Sequence, residues 1–492
     1  MKISTSTRSV ILALIFCSTL ALRITLAYQS PDFVDEYSYF YIQETQRFKD
    51  AGPLYFEADD RAVFYPPAFP YLIGTLSTFI SIETIGKIIL NAIAASSIIL
   101  IYLITERITH HDGASLIAAA LGGLTPSYLA LTFGSLSPYS IAIPLLLILI
   151  YTYLLGHATL FALCATAFAF LHPSISIATL GILIYCAINT LEEIPLRPHE
   201  RELATFLFCL TLWTQFLLYK RALLSYGFSA IWQNIPRALM DTYFSSLSII
   251  DALVAVGTFP LALGMYTIIK YLHNIKNPHV NLIIAMGLAS GIATYLRLIT
   301  PAVGLSFIGI TFTLLCAPAL KYILTYIPQT KASRHQLTIT TLLIITLIVF
   351  ATIPSIAYAS RTLTTSVVTE ALPALIWLRY NLPADARIIS TPQEGNLIRT
   401  IAHATPLIDT SFLRDPDAGL TYADIDTLYT TPIASVAITL MERHGATHAI
   451  FTPTTQRTFG ISSPSWHTNA CFAKTSIGTT TIYTRLCSIK PH

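Results

Sequence analysis

Two adjacent carboxylates, Asp35 and Glu36, with Asp32 three residues ahead, follow directly on an apolar run from Ser9 to Tyr28. Acids at the edge of a membrane span are costly unless something uses them. Phe33, Tyr37, Tyr39, Phe40 and Tyr41 crowd the same stretch, Pro31 to Arg47, and amphipathic rings of this kind settle at a headgroup boundary. The segment is therefore expected to run along the outer face of a bilayer and present carboxylates there, where a partly desolvated acid can take a proton. A plainer reading stands beside it: Asp favours the first positions of a helix, so these acids would cap the helix that follows. Taken alone, the stretch leaves both open.

The elements that must position these residues are mostly apolar. Of 492 residues, 54% are hydrophobic and 11% charged, which excludes an ordinary soluble domain and implies a polytopic membrane protein. The net charge of +3 is small and spread out, and gives no argument for nucleic acid. Apolar runs predict eleven spans, at about 9–28, 85–104, 114–133, 139–155, 157–171, 174–190, 202–219, 250–270, 280–297, 301–318 and 337–356. The first run lacks a small-residue cleavage site and reads as an uncleaved span. Pro66 to Ile82 opens with three prolines, which remove donors that a lipid-exposed helix cannot spare, and is read as a re-entrant or surface helix.

Short-loop Lys and Arg residues place the N-terminus in the cytoplasm of a plasma-membrane protein, with loops 29–84 and 220–249 and everything after Ser355 outside. The domains expected are thus a membrane domain, 1–356, including both loops, and an extracytoplasmic α/β domain, 357–492. The second rests on a helix over Val367 to Tyr380, a strand at Asp385 to Ser390, a helix around 432–444 and a strand at His448 to Thr452. Cys471 and Cys487 flank a hairpin turn near Gly478 and would face each other across its strands, at a separation a disulfide tolerates. That bridge requires an oxidising compartment.

The order of parts resembles the GT-C superfamily of membrane glycosyltransferases, which use polyprenyl-phosphate-linked sugars. The matching features are the Asp35-Glu36 pair opening the first outer loop, the YPPAFPYL box at Tyr65 to Leu72, and Lys87 to Ala92 in the next span. His111-Asp112-Gly113, Thr125-Pro126-Ser127 and Tyr295-Leu296-Arg297 ahead of Pro301 follow in order. Trp377 to Pro383, WLRYNLP, is similar to the start of the outer domain in oligosaccharyltransferase catalytic subunits and their archaeal relatives. Two departures bear on the chemistry. Where oligosaccharyltransferases carry a Trp-Trp-Asp motif this chain reads Ser390 to Gly395, STPQEG, which puts sequon-directed transfer to Asn in doubt. Thr132 to Tyr139 lacks the acid that many relatives supply as a second metal ligand.

The resemblance implies transfer of a sugar from a polyprenyl (dolichyl) phosphate donor to an acceptor hydroxyl on a protein, lipid or glycan, as in the protein O-mannosyltransferases. It implies Asp35 as the general base and Glu36 as its orienting or sugar-binding partner. The lipid phosphate would meet Arg297, Lys220 and Arg221, with Lys87 and Tyr65 as further donor-site candidates; the plainer reading of Lys220 and Arg221 is snorkelling to headgroups. Asp241 and Glu394 are candidates for acceptor contact, though Glu394 reads equally as a turn residue. No cofactor is expected; Mg or Mn would be needed only if the site were oligosaccharyltransferase-like, since a hard cation wants several oxygens. The alternatives are oligosaccharide transfer to Asn and, from another class, a flippase of lipid-linked sugars. Inverted repeats would mark a transporter and none is visible.

Overall fold

The computed structural model describes residues 4–51, 66–245, 247–274, 276–383 and 385–488. The chain divides into two compact units: 1–29, 65–220 and 246–361 form the first, and 30–64, 221–245 and 362–492 the second. Residues 30–51 and 221–245, parts of the two long loops, cluster with the C-terminal residues, whereas 66–84 of the first loop stays in the first unit.

The first unit is helical, and its apolar runs predict its helices closely. Thr5–Ala27, Tyr139–Leu155, Ala158–Leu171, Ile175–Leu191, Pro198–Tyr226, Pro278–Tyr295, Pro301–Tyr326 and Gln336–Thr364 overlie eight of the expected spans. The others are broken. Ile82–Thr109 contains a π turn at Ile85–Ile89. Asp112–Gly123 bends by 47° into Pro126–Thr132, because Pro126 lacks an N–H and its ring pushes Thr125 out of the helical region. Ile249–Val256 turns by 86° into Thr258–Asn274 at Gly257, whose φ of 97° suits a residue without Cβ. Five of these helices are long and apolar enough to cross a membrane, seven if each bent pair is one span. This is a polytopic membrane fold, and eleven crossings exceed what length and composition establish.

Within Pro66 to Ile82 the helix is only Ala68–Leu76, nine residues, or about 13 Å of rise against about 30 Å of hydrocarbon. Pro198–Tyr226 continues six residues past Lys220, since KRALLSY contains no breaker before Gly227. Close helix approach rests on small residues: a Cβ at Gly304 would lie 1.9 Å from Thr294 Oγ1.

The second unit carries a five-stranded sheet in the order β2-β1-β3-β5-β4, where β1 is Arg387–Ile389, β2 Thr405–Pro406, β3 His448–Phe451, β4 Phe472–Ile477 and β5 Thr480–Arg485. β2, β1 and β3 are parallel; β5 and β4 continue antiparallel. Helices Val367–Asn381, Ala434–Arg443 and strands β1 and β3 fall where the alternating pattern puts them. The buried side of the sheet packs Ile389, Ala449 and Tyr483 against Tyr429, Met441 and Trp466. Tyr429 donates its hydroxyl to Ile450 O at 2.6 Å, so this ring fills the core without stranding a polar atom.

The β4–β5 turn is tight, at Gly478 with φ 58°, and Cys471 and Cys487 form a disulfide beyond the strand ends with Cα atoms 5.0 Å apart. Replacing both cysteines by Ser is expected to lower the stability of this unit by about 3 kcal/mol, read as faster proteolysis of the full chain under non-reducing conditions. Equal resistance of the double variant would contradict it.

Candidate functional site

The two carboxylates meet at a helix start. Asp35 immediately precedes helix Glu36–Ala51; its Oδ1 accepts from Ser38 N–H at 3.0 Å and from the Ser38 hydroxyl, so Asp35 does cap this helix. The Ser38 contacts engage Oδ1, so the cap does not use Oδ2. Both acids keep some surface yet are largely desolvated, and no basic residue pairs with either among the described residues. Burial lifts the Asp35 carboxyl to about 6, the Ser38 contacts holding it below a higher value. Burial lifts Glu36 to about 7, with the Asp35 charge adding.

The helix is held in place by its far side. Glu44, fully buried, is paired with Arg414 at 3.0 Å and Arg47 at 2.9 Å. Ser366 donates its hydroxyl to Val34 O, and Thr400 to Tyr39 O at 3.3 Å. Helix Pro392–Leu397 packs against the same helix. These contacts fix the direction in which Asp35 and Glu36 point.

A buried polar patch adjoins them. The Tyr243 hydroxyl is fully buried with no hydrogen-bond partner among the described residues, and its ionisation is pushed well up by burial and by the nearby Tyr37, Glu36 and Asp409. Its ring meets Phe412 edge-on at 5.9 Å. Asp409 is paired with Arg399 at 3.1 Å. A neutral hydroxyl beside Glu36 can donate a hydrogen bond to a sugar or an acceptor oxygen. Sequence reasoning singled out Asp241, two residues away on helix Arg237–Tyr243, which is exposed; Tyr243 and the fully buried Leu239 are the members of that helix that turn inward.

Glu394 is buried and structurally committed: its Oε2 accepts from Thr391 N–H at 3.0 Å in a capping box, and its Oε1 accepts from the Thr452 hydroxyl. Burial lifts it to about 7. Of the two readings weighed for it, the turn residue is the one its contacts describe.

The basic candidates lie in the first unit, except Arg221. Lys220 and Arg221 are both exposed near the end of helix Pro198–Tyr226. Arg297 is exposed just past helix Pro278–Tyr295 with φ 58°, a conformation that costs a non-glycine residue about 1 kcal/mol and that clusters at functional sites. Lys87 turns inward: only 1% exposed, it pairs with Glu83 at 3.0 Å and sits 5.1 Å from the Tyr28 ring centre. Tyr65 lies outside the described residues. Arg23 was missed, although a charge inside the first apolar run was visible. It is fully buried, bonded to Asn91 Oδ1 at 3.2 Å and to the Thr132 hydroxyl, with its guanidinium 5.1 Å from the Tyr128 ring centre.

Among the described residues no three His, Cys, Asp or Glu gather as a ligand set. Asp35 and Glu36 would supply only part of the oxygen shell that a hard cation takes.

No protein-family model matches the chain, and no curated protein matches its sequence. Solved structures do match. The archaeal oligosaccharyltransferase AglB from Archaeoglobus fulgidus, in complex with an inhibitory peptide and a dolichol-phosphate, superposes with a TM-score of 0.69 at 13% identity, over 90% of this chain and 69% of that one. ArnT from Cupriavidus metallidurans, bound to undecaprenyl phosphate, superposes with a TM-score of 0.58 at 10% identity, over 98% of each chain. The chain shares the fold of these two proteins.

Proposed function

We propose that the protein is a membrane glycosyltransferase that moves a sugar from a polyprenyl-phosphate carrier to an acceptor hydroxyl at the outer membrane face. The observation that carries this reading is the Asp35-Glu36 pair: two desolvated carboxylates raised to about 6 and about 7, at a rigidly held helix start, in a GT-C fold. A general base is most effective with its pKa near the working pH. In the proposed step Asp35 Oδ2 takes the acceptor proton as the acceptor oxygen bonds to the anomeric carbon. The bond from that carbon to phosphate oxygen breaks, and its electron pair leaves on the polyprenyl phosphate. Attack from the opposite face inverts the anomeric centre. Glu36 and the Tyr243 hydroxyl orient the sugar or acceptor; for the lipid phosphate, Arg297 is the candidate the resemblance supplies.

AglB and ArnT support this reading, since the first is in complex with a dolichol-phosphate and the second is bound to undecaprenyl phosphate. AglB also appears tethered to an acceptor peptide with a sequon, which favours a second reading, transfer to protein Asn. Against it, Ser390 to Gly395 supplies no tryptophan, and its Glu394 is spent on capping.

The test is transfer by the purified full chain from a polyprenyl-phosphate sugar to a panel of hydroxyl and sequon acceptors. Arg297→Ala is expected to lower kcat by about 10²- to 10³-fold. Full transfer by both Arg297→Ala and Asp35→Asn would dismiss the site, and product only on sequon peptides would favour the second reading.

Activity and stability should respond to pH with opposite signs. The rate should climb through pH 6 to 7 as Asp35 and Glu36 ionise. Stability should fall from about pH 4 to 7, because the folded state holds protons on Asp35, Glu36 and Glu394 that the unfolded chain has released. A flat rate profile, or stability rising across that window, would count against these assignments.

A further inference from the structure

We propose that a groove between the C-terminal ends of helices Thr258–Asn274 and Pro301–Tyr326 binds the phosphate-bearing headgroup of an anionic membrane lipid. The groove holds about 150 Å³, room for about five waters, and is lined by Tyr266, Lys270, Tyr271, Lys321, Tyr322 and Thr325 among others. No acid lines it.

Its charge is held in position and left unmatched. Lys270 Nζ lies 3.7 Å from the centre of the Tyr322 ring and 5.6 Å from that of Tyr266, and Tyr322 stacks on Tyr326 at 6.0 Å. The rings hold the ammonium at the groove in place of free snorkelling. Asp112 lies at the same end of the unit, where a Cβ on Gly113 would approach Leu324 at 3.7 Å, but its carboxylate is committed to Arg8 at 3.5 Å and Tyr102 at 2.8 Å. Neither groove lysine has an ion-pair partner among the described residues. Two helix C-termini contribute about half a negative charge each, which offsets about one of the two lysine charges. Roughly one positive charge is left for a ligand, and exposed Lys331 and Arg334 follow close by in the chain.

The surroundings select a lipid over a soluble anion. Both helices belong to the apolar span candidates, so their ends lie at headgroup depth. Basic pockets between spans at that depth suit anionic headgroups. Met265 and Ile269 are exposed on the turn leading into the groove and offer acyl chains an apolar wall. Neither residue would serve free phosphate.

The full chain, reconstituted in nanodiscs of phosphatidylglycerol and phosphatidylcholine and released for native mass spectrometry, tests this independently of any transfer activity. The wild type should retain phosphatidylglycerol in preference to phosphatidylcholine. Lys270→Gln combined with Lys321→Gln should cut that retention by about thirty-fold, at roughly 1 kcal/mol per basic residue, while the double Arg variant keeps it. Exposed Lys321→Gln alone, which spares the fold, should still cut it by about five-fold. Equal retention of the two lipids, or undiminished retention in the Gln variants, would overturn the proposal. So would displacement of the lipid by millimolar inorganic phosphate, which would assign the groove to a soluble anion.

Discussion

Asp35→Asn is expected to lower sugar transfer by about 10²- to 10⁴-fold, the usual worth of a positioned general base, while leaving the helix behind it intact. The separation is possible because of how Asp35 is used. Its Oδ1 accepts from Ser38 N–H and hydroxyl, and Asn is as good an N-cap as Asp. Asn retains the cap and cannot take a proton. Asp35→Ala removes both functions and should add a stability loss of about 1 kcal/mol. The measurement is kcat on a lipid-linked donor beside thermal unfolding of the full chain. If Asp35→Asn loses stability as Asp35→Ala does, the cap reading fails; if it keeps full activity, the base lies elsewhere.

Trp466→Ala should have the largest effect on stability, about 3 to 5 kcal/mol. The ring is 2% exposed, with Phe472 at 4.3 Å and Tyr483 at 5.1 Å between centroids, and its Nε1 donates to Leu428 O at 2.6 Å. Truncation opens a cavity beneath the sheet and strands a buried carbonyl as well. A domain holds about 5 to 15 kcal/mol in all, so the variant should be cut rapidly in pulse proteolysis of the full chain. Trp466→Phe, which keeps most of the volume but not the donor, should fall between. An unchanged midpoint for the Ala variant would contradict this account of the core.

Local physics carried much of this structure into the sequence. Apolar runs mark the helices of the first unit, three prolines open the segment after Tyr65 and its helix is brief, and short strand-like runs mark β1 and β3. What was not legible depends on long-range partners. β2 has two residues, too few for any pattern to register. Tyr243 was passed over for Asp241 because sequence shows charge but not which side of a helix is buried. Glu44 and Arg414, 370 residues apart, carry no mutual signal until the fold brings them together. At Asp35 the two sequence readings were posed as rivals, and the geometry makes the cap compatible with a base.

The second unit is sewn from three separate stretches, 30–64, 221–245 and 362–492. During synthesis its first stretch emerges hundreds of residues before the partners that will bury it: Val34 waits for Ser366, and Glu44 for Arg414. Folding of this unit must therefore be late and slow, as pairings of high sequence separation are. A fragment starting at residue 362 would leave the surface that packs Leu239 bare, so expression of the tail alone should yield aggregate rather than a soluble domain.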